Sequence, residues 1–434
     1  MTQRLAVFGD LLDVTAPCPA DADLDTPPPT VRWRPKHWLL IENGRIQAIQ
    51  PEAPDASWPR DERPGRLILP GFIDTHVHAP QLDVIASYGT ELLDWLNRYT
   101  FPAERAWADP AVAAAGSARF LDQLLAHGTT AALVFPTVHK CSVDALFGAA
   151  EARGMRLITG KCLMDRHAPD GLRDTVQEAE RDSIDLIQRW HGQGRNAYAH
   201  TVRFAPTSSE AQLDLAGDLL AAHAGSYLQT HVAENRAEVE WVRQLFPTAR
   251  SYLGVYEQHR LLGPNSTLAH GIWLDENDRA ALRATGSVIA HSPTSNLFLG
   301  SGLFDWRGRA AEGLRLSIAS DVGGGVSLSM QRTLAAAYQV AALQGQRLDA
   351  FTLLHAATAG NAESLNLGAE IGRLEPGLMA DICCWRWADE GSVLAHRLSI
   401  AGSLHERLFA WLMLGDERLL EEVWVGGSAS TGQI

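Results

Sequence analysis

Along the middle of this 434-residue chain, short apolar runs alternate with stretches of helical periodicity, and the alternation repeats eight times. The runs are RLILPGFIDTHVH (66–78), GTTAALVFP (128–136), MRLITGKCL (155–163), HTVRFAPT (200–207), SYLQTHVAE (226–234), STLAHGIWL (266–274), GSVIAHSPTSN (286–296) and LRLSIASDVGGG (314–325). Between them lie segments such as AVAAAGSARFLDQLLAH and LDLAGDLLAAH, with Ala and Leu at helical spacing. Strands that are apolar on both faces and joined by helices belong in a parallel sheet, and eight of them predict an α/β fold, a closed (β/α)8 TIM barrel over 70–372. An open doubly wound sheet is the structural alternative. It would gather its chemistry at one switch point, whereas here polar residues end many of the runs.

The flanks carry a different pattern. Before residue 70 stand RLAVFGDLLDV and HWLLIENGRIQAI, broken by the Pro-rich DTPPPT; after residue 372 come ADICCWRW and LEEVWVGG. Neither flank has enough apolar residues for a core of its own. The economical expectation is that 1–69 and 373–434 pair into one small β-sandwich domain beside the barrel.

With 46% hydrophobic and 20% charged residues the chain can bury a sizeable core, and its net charge of -14 disfavours nucleic acid or an anionic membrane as partner. A small-molecule substrate fits that charge. Five cysteines at irregular positions (Cys18, Cys141, Cys162, Cys383, Cys384) suggest a reducing compartment rather than a disulfide framework. The start, MTQRLAVFGDLLD, has no basic segment leading into a long apolar one, and no uncharged apolar run reaches roughly 18 residues. A soluble cytoplasmic protein is expected.

Polar residues at the run ends define the chemistry. His76 and His78 are one residue apart, so on a strand they point the same way, with Ile73, Thr75 and Val77 on the opposite face. His231, His270, His291 and Asp321 sit in the fifth to eighth runs. In a closed barrel the strand ends form a ring where distant residues meet; imidazoles plus a carboxylate suit Zn2+, with Fe2+ as a substitute. One such histidine alone would be read as a core imidazole bonded to a backbone carbonyl, but agreement among several strands favours a metal. Glu234, three positions after His231, can reach the pocket and carry protons. Asp321 is placed to accept a proton from a water activated by the metal. Arg203 can offer its fork to an O6/N7 acceptor edge, Phe204 a stacking face; an ion pair across the barrel mouth is the structural alternative for Arg203.

The order PGFIDTHVH, QTHVAEN, TLAHG and SDVGGG, with the return IGRLEPGLMADICCW, resembles the amidohydrolase superfamily over nearly the whole chain. Within it, HAPQ, LLDWLNRYTFPAE, GKCLMD, RFAPTSS, HVAEN, HSPTSNLFLGSG and SDVGGGVSLSM resemble the guanine deaminases. The resemblance implies that His76, His78, His231 and Asp321 hold a single zinc, that Glu234 shuttles protons, and that His270 orients or polarises the water and the reacting carbon. It implies that Gln81, Arg203 and Phe204 bind guanine, with His231 and Glu234 also facing the substrate, and that the protein is a homodimer converting guanine to xanthine and ammonia. A carboxylated lysine ending strand four, which bridges two metals in many relatives, is missing: the fourth run ends RFAPT and Lys161 belongs to the third. His291 is left to second-layer support or to the fold. ELLDWLNRYTFPAE has the apolar spacing of a packing helix and is also a candidate lid. Deaminases built on H-x-E and P-C-x-x-C are excluded, because Cys383 and Cys384 are adjacent. Fold and ligands do not choose the substrate, so another amidohydrolase reaction on a pterin, triazine or other purine or pyrimidine ring, and a scaffold without catalysis, are the competing readings.

Overall fold

The computed structural model describes residues 3–19, 21–88 and 92–430, arranged around two sheets. The strands are β1 (Arg4–Val14), β2 (Val31–Glu42), β3 (Arg45–Gln50), β4 (Arg60–Pro70), β5 (Phe72–His78), β6 (Thr129–Phe135), β7 (Arg156–Thr159), β8 (Cys162–Leu163), β9 (Asn196–Val202), β10 (Tyr227–Val232), β11 (Ser266–His270), β12 (Val288–His291), β13 (Arg315–Ile318), β14 (Ile382–Trp385), β15 (Leu420–Val425) and β16 (Ser428–Ala429). Strands β5 to β13 pair in parallel, in the order β13-β12-β11-β10-β9-β7-β6-β5, with β8 on β9. The ring is closed just beyond β13, where Asp321 N donates to His76 O at 3.0 Å and His78 N donates to Val322 O at 2.8 Å. This is the expected eight-run barrel, with β7 and β8 sharing the third run.

Four details differ from the sequence reading. The first run breaks at Gly71: Leu67–Pro70 of β4 pair with β14 in the other sheet, and only Phe72–His78 enter the barrel. A Cβ at residue 71 would lie 2.2 Å from Thr130 Oγ1, so only glycine lets the chain cross here between the sheets. The fourth strand starts at Asn196 and ends at Val202, so Arg203 follows it and RFAPT is mostly a turn. Ile73 and Val77 do not share a face. The β5–β6 register shifts between Asp74 and Val77, leaving Ile73 against Ala131 and Leu133 inside the barrel while Val77 packs outside with Val134. Finally, the C-terminal flank is not all β. Helices Val393–Ser399 and Leu404–Leu414 lie between β14 and β15, and Leu408, Trp411 and Leu412 bury against the barrel layer that includes Leu334 and Ala337.

The second sheet has the order β16-β15-β14-β4-β1-β2-β3, joining both ends of the chain. Breaks in register within β1–β2 and β1–β4 let its strands bend, and the sheet folds around Val7, Leu11, Leu39, Ile41, Ile68, Ile382 and Trp424 as a small sandwich. Among the described residues, no helix is long and apolar enough to cross a membrane.

Asp381, at the entry to β14, ties the two sheets together. Its carboxylate receives Arg195 through two bonds of 2.9 and 2.6 Å and Gly426 N at 2.8 Å, while its carbonyl accepts Gly71 N at 2.9 Å. Removing one partner of a buried pair leaves the other charge unsatisfied. Asp381→Ala should lower stability by about 3 kcal/mol, read from urea unfolding followed by far-ultraviolet dichroism.

Candidate active site

At the carboxyl ends of the strands, His76 and His78 come from β5, His231 from β10 and His270 from the last residue of β11; Asp321 follows β13. His78 Nε2 lies 3.2 Å from both His76 Nε2 and His231 Nε2. Asp321 Oδ1 stands 3.2 Å from His76 Nε2 and 3.4 Å from His78 Nε2. His270 stands slightly apart, with Nε2 3.7 Å from Asp321 Oδ2 and 3.4 Å from Glu234 Oε2. One donor atom from each of His76, His231, His270 and Asp321 falls within 4.8 Å of the others, and no second set of such donors gathers among the described residues.

The donor set fits a metal ion. Burial drives His78 down to about 3 and His231 well below its ordinary value, so both rings stay neutral and keep a ligating lone pair. His231 Nδ1 faces Arg203 O at 2.6 Å, which holds the proton there and turns the Nε2 lone pair inward. Burial would raise Asp321, but His76, His78 and His270 together outweigh it and hold the carboxyl well below its usual range. The inward lone pairs of His78 and His231 and the Asp321 carboxylate repel one another unless a cation lies between them. A tetrahedral zinc with ligands at about 2.0–2.1 Å separates its ligand atoms by about 3.3 Å, close to the spacing here. Phe135 seals the inner side, its ring centroid 4.6 to 5.0 Å from those of His76, His78 and His231.

A second group faces the same cavity. Glu234, buried just past β10, is pushed up to about 8, first by burial and then by Asp321. Ser301 donates to its Oε1 at 2.8 Å. His270 Nδ1 meets Asn296 Oδ1 at 2.9 Å, so the proton sits on Nδ1 and Nε2 is left as the acceptor facing Glu234. His270 has φ of 72°, a strained setting for a side chain, which swings the ring inward although Leu268, two residues earlier, packs outside. Glu238 fixes the turn: it accepts Glu234 N at 3.0 Å, Asn235 N at 3.2 Å and the Tyr252 hydroxyl at 2.6 Å.

The residues read as substrate-binding line the same cavity. The cavity is lined by Gln81, Arg203, Phe204, Trp95 and Leu96 together with His78, His231, His270, Glu234 and Asp321. Arg203 Nη1 donates to both oxygens of Glu104, at 2.6 and 2.7 Å. Both readings of Arg203 therefore meet in one residue: it lines the pocket and it is ion-paired. Gln81 Nε2 donates to Glu104 at 3.3 Å, and Gln81 Oε1 accepts Gly323 N at 3.1 Å. Trp95, Leu96 and Glu104 lie on one helical run, Leu92–Ala106, within the stretch read as packing helix or lid; its first residue, Glu91, lies outside the described residues.

His291 stays out of the cluster, its ring stacked 4.8 Å from Phe304. Sequence reasoning passed over Glu104, Asn296, Ser301 and Glu238. The first three lay within quoted motifs, FPAE and HSPTSNLFLGSG, but a lone carboxylate, amide or hydroxyl in such a segment carries no spacing signal.

Fold and site together define a barrel hydrolase built around a candidate metal centre. A model of the amidohydrolase family matches residues 67–401. The chain is 42% identical to guanine deaminase of Escherichia coli strain K12 over 429 residues, covering 97% of this chain and 96% of that one. The solved structure of E. coli guanine deaminase matches with a TM-score of 0.93 at 40% identity, over 98% of this chain and 99% of that one. Guanine deaminase from C. acetobutylicum, solved with guanine in its active site, matches with a TM-score of 0.89 at 25% identity, over 99% and 100%. The chain belongs to the amidohydrolase family.

Removing one inward lone pair breaks the candidate centre, whereas Glu234 supplies none of its close contacts. His231→Ala should abolish tight metal binding, and Glu234→Gln should retain about one metal per chain, both measured by elemental analysis after dialysis. A metal-free Glu234→Gln protein would make the glutamate a ligand.

Proposed function

We propose that this protein is a zinc-dependent guanine deaminase, replacing the C2 amino group of guanine with oxygen from water to give xanthine and ammonia. The observation that carries the reading is one cavity lined both by the candidate metal centre with the buried Glu234 and by Arg203 and Gln81, which share Glu104 as partner. High identity to a guanine deaminase over nearly the full chain supports the same substrate.

His76, His78, His231 and Asp321 would hold the zinc, with His270 outside the ligand set because its Nε2 turns toward Glu234. A bound zinc supplies a nucleophile at neutral pH by lowering the pKa of water from about 15.7 to about 7. Asp321 accepts the proton released as oxygen attacks C2. Glu234, held near neutrality by its burial, gives a proton to the ring nitrogen beside C2 and carries another to the departing amino group, so that ammonia leaves neutral. His270, its ring fixed by Asn296, keeps water and reacting carbon in line. Phe204 offers a face to the purine. The guanidinium of Arg203 donates to the O6/N7 edge, and Gln81 completes the in-plane contacts. We also place the enzyme in the cytoplasm, where its five unpaired cysteines stay reduced, and as a homodimer, which sedimentation of the purified protein reads directly.

Adenine presents an amino donor where guanine presents O6, so donor would meet donor. Unpaired buried polar groups discriminate by roughly 10,000-fold or more. Purified protein screened against guanine, adenine, pterins and triazines should release ammonia rapidly from guanine and negligibly from adenine. Arg203→Met should raise KM for guanine steeply with metal content unchanged, and Glu234→Gln should lower kcat by about 100-fold to 10,000-fold. Comparable turnover of adenine or a triazine by the wild type would overturn the assignment.

A further inference from the structure

Glu104 is fully buried, yet no part of the chemistry above uses it. An isolated carboxylate in such a place is unfavourable, and an isolated guanidinium beside it equally so. Here each neutralises the other, but the manner of pairing is specific. Both Glu104 oxygens take the same nitrogen of Arg203, Nη1, so the carboxylate does not consume the rest of the guanidinium edge. The same carboxylate receives Gln81 Nε2, which pins the second substrate-facing side chain; the other end of Gln81 is held by Gly323 N, from the loop that follows Asp321. The Phe101 ring centroid lies 5.3 Å from the guanidinium carbon and covers one of its faces. Glu104 and Phe101 arrive on the run that also carries Trp95 and Leu96 into the cavity wall.

We propose that Glu104 is the positioning residue for recognition of the purine O6/N7 edge: it aims Arg203 and Gln81 together and leaves the pocket without net charge on that wall, suited to a neutral ring. This rests on the guanine reading above. The alternative is an ion pair that only stabilises the fold, and the two differ in what a ligand feels. A brace for one edge of the substrate affects ligands that present that edge. A fold brace affects all ligands alike.

The experiment compares wild type with Glu104→Gln, Glu104→Asp, Arg203→Met and the double variant Arg203→Met/Glu104→Gln, all as metal-loaded full-length protein. KM and kcat are measured for guanine, together with the competitive inhibition constant of 2-aminopurine, which lacks O6. Glu104→Gln should raise KM for guanine at least about tenfold, the size of a lost charged hydrogen bond, with kcat and the 2-aminopurine constant within about threefold. Glu104→Asp should recover part of the loss, and the double variant should lose clearly less than the sum of the two single losses, because the carboxylate acts largely through the guanidinium. An unchanged KM for guanine, an equal loss for 2-aminopurine, or additive losses in the double variant would overturn the inference. Should Glu104→Gln fail to fold, Glu104→Asp and its double variant with Arg203→Met decide by the same criteria. A wild type inert toward guanine overturns the substrate reading and this inference with it; an active wild type with an indifferent Glu104→Gln overturns this inference alone.

Discussion

Barrel closure is the constraint on which the site depends. Backbone bonds from Asp321 N to His76 O and from His78 N to Val322 O join the two ends of the strand ring and bring the single carboxylate against the histidine pair. Without that seam, Asp321 and His76 would be at opposite edges of an open sheet. With it, three imidazoles and one carboxylate face one point, a donor set suited to a cation. The same seam is strengthened from below: Asp74 accepts the Ser320 backbone and hydroxyl, and Asn361 donates to Ile73 O and Ile318 O. Burial raises Asp74 to about 6, so this support is itself a polar network held out of water.

A division of labour follows from which strand ends meet. β5 and the loop after β13 supply donors of the candidate metal centre, and β10 contributes one more, followed three residues later by the buried Glu234. The 293–301 segment then reaches over with Asn296 and Ser301, fixing His270 and Glu234 separately. Arg203, Gln81, Trp95 and Leu96 reach the same cavity from elsewhere, from the end of β9 and the helical insertion after β5. On the proposed function, chemistry and recognition rest on different crossovers of one barrel, consistent with a frame whose substrate range is set by loops.

The barrel was legible because its signal is repeated: eight apolar runs separated by helical segments leave few topologies. The paired flanks were legible from their insufficiency, since neither could bury a core alone. What escaped was local. Nothing in THVH announces the register shift that places Ile73 inside and Val77 outside, because a bulge depends on the neighbouring strand. The helices Val393–Ser399 and Leu404–Leu414 were overlooked between two clear β signals, although LHERLFAWLML carries apolar residues at helical spacing. In the site, residues at strand ends could be named, because the barrel dictates where those ends go. Glu104, Asn296 and Ser301 could not, since their partners lie on other crossovers and only packing brings them there.

Because β4 pairs with β14, the sandwich has a seam between a strand made before the barrel and one made after it. Until Ile382–Trp385 leave the ribosome, Leu67–Pro70 present unpaired backbone groups on an apolar strand, the kind of edge that invites pairing with another chain. The whole barrel is made in that interval. Arg60, Asp61, Glu62, Arg63 and Arg66, set on the more exposed half of β4, put charge beside this waiting edge, the kind of placement that disfavours pairing with another chain.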